Sequence, residues 1–588
     1  MATDLYAGDN FRKGGSRVYL PEASRGGHMH VIGRTGTGKT SFLEHCIRQD
    51  ILNGNGLCLI DVAGNLYDRL VRFLAYLDLS HPIADRVILI DPSDTEYSVA
   101  INYLEQLGDI DAGVILQTVM EGLARLYKEQ DQVKPRWETY APLTLIPLIR
   151  AGLTLLEVVY FVSATHPQFR QNLLQKLRDP YYLRSWNDFE AYSKGERANQ
   201  VEVVKNRGSL FWQVETIKRV VGQPHNTVKW TEAMDEGKII LCNLGQTAHS
   251  SEKANKQLAI ILVHQIIQAA RTRRGEPATL RPFYLYVDEF GEVVCKDFAK
   301  GLDTLRQFGV PLILANQRFG QLRQELGEDL YSAVMSNTLW KAAFNIWSED
   351  ADAMVEEIFT KQIHGDDIKY QGYHTLLIPH TEIISLAGES SSTSYSPGTA
   401  GHVSTFGDDL TARSSSDSSN WPVGPTHSDT SGSHEAAITK YEREYEDDTP
   451  VFYSLEEKRA FYKNVIMSQG VGESKLKFVT RNPITLKTVL PKPIFVTDEN
   501  VDDFRKRSYA QNGILTSSQA AELIEKRHRE LLGDDYATIL LPEGQEPPIV
   551  LGEPLDASQR SKYREVTEKV PQRRSRKPYK PRSRPNKG

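Results

Sequence analysis

The sequence predicts an α/β fold, a mostly parallel sheet flanked by helices, and three observations carry that expectation. Short apolar, β-branched runs alternate with helical stretches through roughly the first 350 residues. Five of the six runs carry a polar residue at or next to their end. One of them leads directly into a glycine-rich loop and then a helix. Strands that alternate with helices need crossover connections, so they pair in parallel and are covered on both faces.

The runs are residues 28–33, 57–61, 87–91, 238–244, 283–288 and 311–317. Their polar ends include Asp61, Asp91, Asn243, Asp288 and Gln317. In an open α/β sheet the ligand crevice lies at the carboxyl ends of the strands, where such side chains gather. Between Asn102 and Trp230 the strand signal vanishes. There Ile115, Val119, Leu123 and Leu126 recur at helical spacing, as do Leu173, Leu174 and Leu177. After Thr381 the composition turns rich in Ser, Thr, Gly and Asp until about His434, too polar to offset its ordering entropy. Aromatic and apolar residues return from Tyr441 to Val496 and a helical stretch follows at 517–532. The chain ends in a basic tail holding Arg573, Arg574, Arg576, Lys577, Lys580, Arg582, Arg584 and Lys587.

This pattern divides the chain into an N-terminal segment (1–27), an α/β domain (28–104 and 231–385) and an all-α insertion (105–230). A flexible linker (386–437), a small C-terminal module (438–570) and a disordered basic tail (571–588) complete it. A length of 588 residues exceeds one core. The formal net charge of −6 excludes a protein coated in basic surface, so nucleic acid would meet local patches or a pore. Cys46, Cys58, Cys242 and Cys295 form no C-x-x-C pair, which suits a reducing compartment and offers no zinc framework. The most lipid-like stretch, 140–162, is interrupted by Pro142, Pro147, Arg150 and Glu157. A spanning helix needs about 20 mostly apolar residues, so buried helices and a cytoplasmic protein are expected.

The loop after the first run is Gly33-Arg34-Thr35-Gly36-Thr37-Gly38-Lys39-Thr40, a complete G-x-x-x-x-G-K-[ST] phosphate loop. Its glycines let successive N–H groups turn onto phosphates, and the following helix adds its positive end. Lys39 is expected on the β- and γ-phosphates, and Thr40 on Mg²⁺. The run at 283–288 ends in Asp288-Glu289. Asp288 is placed to hold the Mg²⁺ water shell and Glu289 to polarise an attacking water. Gln317 ends the next run and is a candidate to sense the γ-phosphate, against the plain alternative of a polar strand end. Arg306, in Thr304-Leu305-Arg306-Gln307-Phe308-Gly309-Val310, would otherwise be a solvated arginine at a helix end. Asp61 suits either a supporting carboxylate or a helix cap. His28 and His30 form an H-x-H at a strand entry with no further ligand set, so satisfied core histidines are expected.

With these motifs in this order, residues 25–360 resemble the HerA/FtsK superfamily of ring ATPases, and within it the TraG-type coupling ATPases of conjugation and type IV secretion. The resemblance implies a RecA-like P-loop fold, ATP and Mg²⁺ as cofactors, and a homo-oligomer, expected as a hexamer. It implies DNA held by backbone contacts in the ring pore, and an arginine at Arg306 that completes the neighbour's ATP site. It also implies partners such as a relaxase or secretion machinery, or a nuclease if the chain acts in DNA processing or defence. The expected activity is ATP-driven DNA translocation; the alternatives are a HerA-like helicase and a non-motor ATP-binding scaffold. One departure stands out: the turn Asp61-Val62-Ala63-Gly64-Asn65 replaces the family's Asp-Pro-Lys/His-Gly-Asp.

Overall fold

The computed structural model describes residues 4–533 apart from 12–14, 107, 109, 127–133, 164–166, 278, 294–300, 303, 327, 365, 387–433, 448 and 480. Most of the expected linker, the basic tail and the end of the C-terminal module therefore lie outside the described residues. The chain divides into two units, Met1–Ala351 with Ile466–Gly588, and Asp352–Val465.

The first unit is built on one sheet of eleven strands. They are β1 (Leu5–Asn10), β2 (Ser16–Leu20), β3 (Met29–Ile32), β4 (Gly56–Asp61), β5 (Val87–Ile90), β6 (Ile239–Asn243), β7 (Phe283–Asp288), β8 (Leu312–Asn316), β9 (Trp340–Ala343), β10 (Glu473–Phe478) and β11 (Ile484–Lys487). Their order is β2-β1-β11-β10-β9-β3-β8-β7-β4-β6-β5. From β9 to β5 every pairing is parallel, the RecA-like arrangement expected. β4 and β7, at its centre, are buried at every residue, which is why their sequences read as continuous apolar runs. Registers Asp61↔Asp288 and Asp61↔Asn243 bring three polar strand ends side by side.

All six predicted runs form strands, but the sheet is larger than the sequence suggested. β9 escapes notice because it has only four residues and carries Lys341, which is buried. Its Nζ donates to the carbonyls of Met335 (3.0 Å) and Thr338 (3.1 Å). Those carbonyls belong to the end of helix Glu328–Asn337 and the residue just past it, so a cation there is satisfied. The remaining four strands pair antiparallel. Two come from the N-terminal segment and two from residues expected in a separate C-terminal module. β10 reads as polar, yet it buries Lys475 and Lys477; Lys475 Nζ donates to Thr485 Oγ1 at 2.7 Å.

Helix Asp498–Gln511 guards the far edge of the sheet. The Val87 carbonyl on β5 accepts from Ser508 Oγ and from Asn512 Nδ2, each at 2.8 Å. An edge strand whose backbone is spent this way presents less of a template to a foreign strand. Between Ala112 and Val221 the regular structure of the described chain is all helical. Helix Ser517–Leu532 reaches this region through the buried Glu157, which accepts from His528 Nε2 (2.8 Å) and pairs with Arg527.

Both histidines of the H-x-H are buried and held by the strand next door. His28 Nδ1 accepts the Leu312 amide at 2.9 Å, so its Nε2 donates to the Leu302 carbonyl at 3.0 Å. His30 Nε2 donates to Asn316 Oδ1 at 2.6 Å, because the Asn316 amide nitrogen is already spent on the Arg318 carbonyl. Burial, with buried Lys341 nearby, pushes the His30 pKa down to about 4. The unfolded chain then binds a proton that the folded one refuses between about pH 6.5 and 4. Stability from this group is complete above pH 6.5 and is lost as pH falls toward 4, by about 3 kcal/mol. Urea unfolding across this range should show that slope in the wild type and lose it in His30→Leu; equal slopes would contradict the assignment.

The second unit carries most of helices Ser348–Ile363 and Leu455–Met467. Within it the Phe359 and Tyr462 rings stack at 4.3 Å, and Arg459 pairs with Glu356 at 3.0 Å. It also holds a two-stranded antiparallel ribbon, Tyr373–Leu386 against His434–Asp447. Tyr441 and Tyr445 lie on this ribbon and are exposed. Among the described residues no helix is long and apolar enough to cross a membrane.

Candidate functional site: the phosphate loop

The loop Gly33–Thr40 joins the end of β3 to helix α1 (Lys39–Leu52). Its shape depends on glycine. Gly36 and Gly38 have φ of 78° and 111°, a region L side chains rarely adopt. At Gly33 a Cβ would sit 2.6 Å from the Cβ of Phe344. The buried Lys39 side chain folds back into its own loop, Nζ donating to the Gly33 carbonyl at 2.8 Å. The same ammonium is 3.9 Å from Glu289 Oε1. Burial lowers the Lys39 pKa, while Glu289 and Asp288 pull it back up.

Asp288 closes β7, and Thr40 Oγ1 donates to its Oδ2 at 3.4 Å. Burial pushes the Asp288 carboxyl up to about 7, and the neighbouring carboxylates of Asp61 and Glu289 push the same way. A buried acid raised by two like charges, beside a hydroxyl, fits a divalent cation, which would favour the ionised carboxylate. Mg²⁺ needs only one or two protein oxygens when phosphates supply others. Thr40 and Asp288 are the residues that would hold it.

Glu289 takes a left-handed backbone conformation, φ 53°, uncommon for a side chain of its kind. Gln317, just past β8, donates from Nε2 to Glu289 Oε1 at 2.7 Å. Its own Oε1 accepts from Thr35 Oγ1 at 3.0 Å. A chain of contacts therefore runs from the loop through Gln317 to Glu289. The sequence placed Thr35 only as a loop residue, since a hydroxyl at a variable position carries no signal of its own.

Asp61 spends its oxygens on backbone. Oδ1 accepts from Ala63 N (3.0 Å), and Oδ2 from Leu66 N and Tyr67 N (2.8 Å each), so it caps helix α2 (Asn65–Asp78). Arg306 is not part of this cluster. It lies in the short 3₁₀ turn Leu305–Phe308, which precedes β8, and its side chain is exposed. The five residues of β8, at about 3.3 Å each, separate it from the strand end that carries Gln317. The structure thus assembles Lys39, Thr40, Asp288, Glu289 and Gln317, and leaves Arg306 at the opposite, amino end of the strands.

Sheet and loop together define a RecA-like P-loop fold. Residues 282–370 match the family described as the TraM recognition site of TraD and TraG. The resemblance to TraG-type coupling proteins is thus found again in the stretch holding Asp288, Glu289, Arg306 and Gln317. No curated protein sequence matches the chain. Among solved structures, the unbound bacterial conjugative coupling protein TrwBdeltaN70 is 13% identical with a TM-score of 0.48, over 84% of this chain and 93% of that one. The plasmid coupling protein TrwB in complex with ADP and Mg²⁺ is 11% identical, TM-score 0.48, over 85% and 98%. VirB4 of Thermoanaerobacter pseudethanolicus is 10% identical, TM-score 0.43, over 85% and 98%. These likenesses are too distant to assign any residue a role.

Proposed function

We propose that the chain is an ATP-driven DNA translocase, a motor like the coupling proteins of conjugative DNA transfer, working as a homo-oligomeric ring. The observation that carries this reading is where the side chains lie along the sheet. Lys39, Thr40, Asp288, Glu289 and Gln317 gather at the carboxyl ends of β3, β7 and β8, while Arg306 stands exposed at the amino end of β8. Such a division makes sense when a neighbouring copy supplies the arginine.

In this reading the loop amides and Lys39 bind the β- and γ-phosphates of ATP. Thr40 and Asp288 would hold Mg²⁺, whose charge would offset that of the phosphates. Glu289 orients a water in line with the γ-phosphate, and Gln317 fixes the carboxylate that does so. Arg306 of the adjacent copy meets the charge that develops on the transferred phosphoryl group. DNA would be held by its backbone, which attracts any sequence and weakens steeply with salt.

The test is ATP hydrolysis by the purified chain with and without single- and double-stranded DNA. A motor shows DNA stimulation that fades with added salt; hydrolysis indifferent to every DNA would leave only a switch or scaffold. The Thr35 contact gives a sharper expectation. Thr35→Val removes the hydroxyl that sets the Gln317 amide with its NH₂ toward Glu289, so kcat should fall several-fold with KM for ATP little changed. Thr35→Ser should restore it; a rise in KM alone would make Thr35 merely part of the loop.

A further inference from the structure

The second unit is inserted into the first through two backbone connections, residues 345–351 on the way in and 466–472 on the way out. Both are bonded to the phosphate loop. On the entering side the Asn345 carbonyl accepts the Arg34 amide at 2.8 Å. The Arg34 guanidinium then lies over the Trp347 ring, 3.9 Å from its centroid. On the leaving side the Gly472 amide donates to the Thr37 carbonyl at 2.8 Å. A Cβ on Gly38 would stand only 3.0 Å from the Gly472 Cα, so loop and connection pack backbone to backbone.

The two connections are also tied to each other. Asn345 Nδ2 donates to the carbonyls of Met467 (2.6 Å) and Gln469 (3.1 Å). Gln469 Nε2 returns the contact to the Ala343 carbonyl at 3.1 Å. One asparagine therefore holds both strands of chain against the loop, and neither can shift without straining the other. The loop's contacts to them come from Arg34 and Thr37, which bracket the positive-φ Gly36. A loop that reshapes at its glycines when it takes up phosphate carries the two anchoring residues with it.

We propose that the phosphate loop transmits its nucleotide state to residues 352–465 through these paired connections, with Asn345 as the clamp. The proposal rests on the reading of Gly33–Thr40 as a nucleotide site. A ligand shifts such an element only by binding its two arrangements unequally. The bonds from Arg34 and Thr37 are what would carry a rearrangement of the loop into the connections. Hinges of this kind are a few residues at the ends of elements, as here.

Hydrogen exchange on the full chain, with and without the ATP analogue AMP-PNP and Mg²⁺, tests it. In the wild type the analogue should slow exchange in the loop and change exchange several-fold in peptides of 345–351, 466–472 and the inserted unit. Asn345→Ala should keep loop protection while losing most of the response in 352–465. Trp347→Ala, an exposed position, should weaken that response even if Asn345→Ala folds poorly. Loop protection without any change in 352–465 of the wild type would overturn the proposal. A wild-type loop that the analogue never protects would overturn the nucleotide reading instead, and this proposal with it.

Discussion

Glu289→Gln should abolish ATP turnover while leaving nucleotide binding in place. The substitution keeps the shape of the side chain and its place beside Gln317, but removes the charge that polarises a water. Loss of a positioned base costs about 10²–10⁴-fold in rate. Binding should persist because the loop amides and Lys39 are untouched, and removing one of the like charges that raise Asp288 should favour its ionised form. Single-turnover hydrolysis and equilibrium binding of a labelled nucleotide, measured on the same preparation, separate the two effects. Hydrolysis at the wild-type rate would remove Glu289 from its role; loss of binding would mean that the carboxylate chiefly supports Lys39, 3.9 Å away.

The second large effect belongs to Arg306. As a lone side chain it has the appearance of an ordinary surface residue, and Arg306→Ala should leave stability within about 0.5 kcal/mol. A transition-state arginine supplied from a neighbour is worth about 10³–10⁵ in rate, so turnover should collapse all the same. Mixing decides between a shared site and a local defect. Lys39→Ala subunits have a dead loop and an intact arginine; Arg306→Ala subunits have the reverse. Randomly mixed rings at equal ratio join an intact loop to an intact arginine at about a quarter of their boundaries, so activity should return toward that fraction. Rings shown to exchange subunits, yet inactive at every ratio, would place Arg306 outside the site.

Much of the fold could be read in the residues, for a physical reason. β4, β6, β7 and β8 lie within the parallel part of the sheet and so are written as apolar runs up to their polar ends, and β3 departs from that only at His30. What the sequence hid are strands that satisfy polar side chains inside the sheet. β9 buries Lys341 on helix-end carbonyls, and β10 buries two lysines, so neither has a hydrophobic signature. β11 joins β10 to β1, and the β1–β11 pairing (Asp9↔Lys487) links residues hundreds of positions apart, which no local pattern announces. In the site, the loop and the Asp-Glu pair were legible because glycine and acid at fixed spacing have few other uses. The Thr35–Gln317–Glu289 contacts and the Asn345 clamp were not, since a hydroxyl or amide reveals its partner only once the chain has folded.

Displacement of streptavidin from biotin-ended single- and double-stranded DNA, with ATP and the wild-type chain, tests the motor reading most directly. The account predicts ATP-dependent displacement on at least one of the two, absent with Glu289→Gln. Rapid, DNA-stimulated hydrolysis that displaces streptavidin from neither would contradict it.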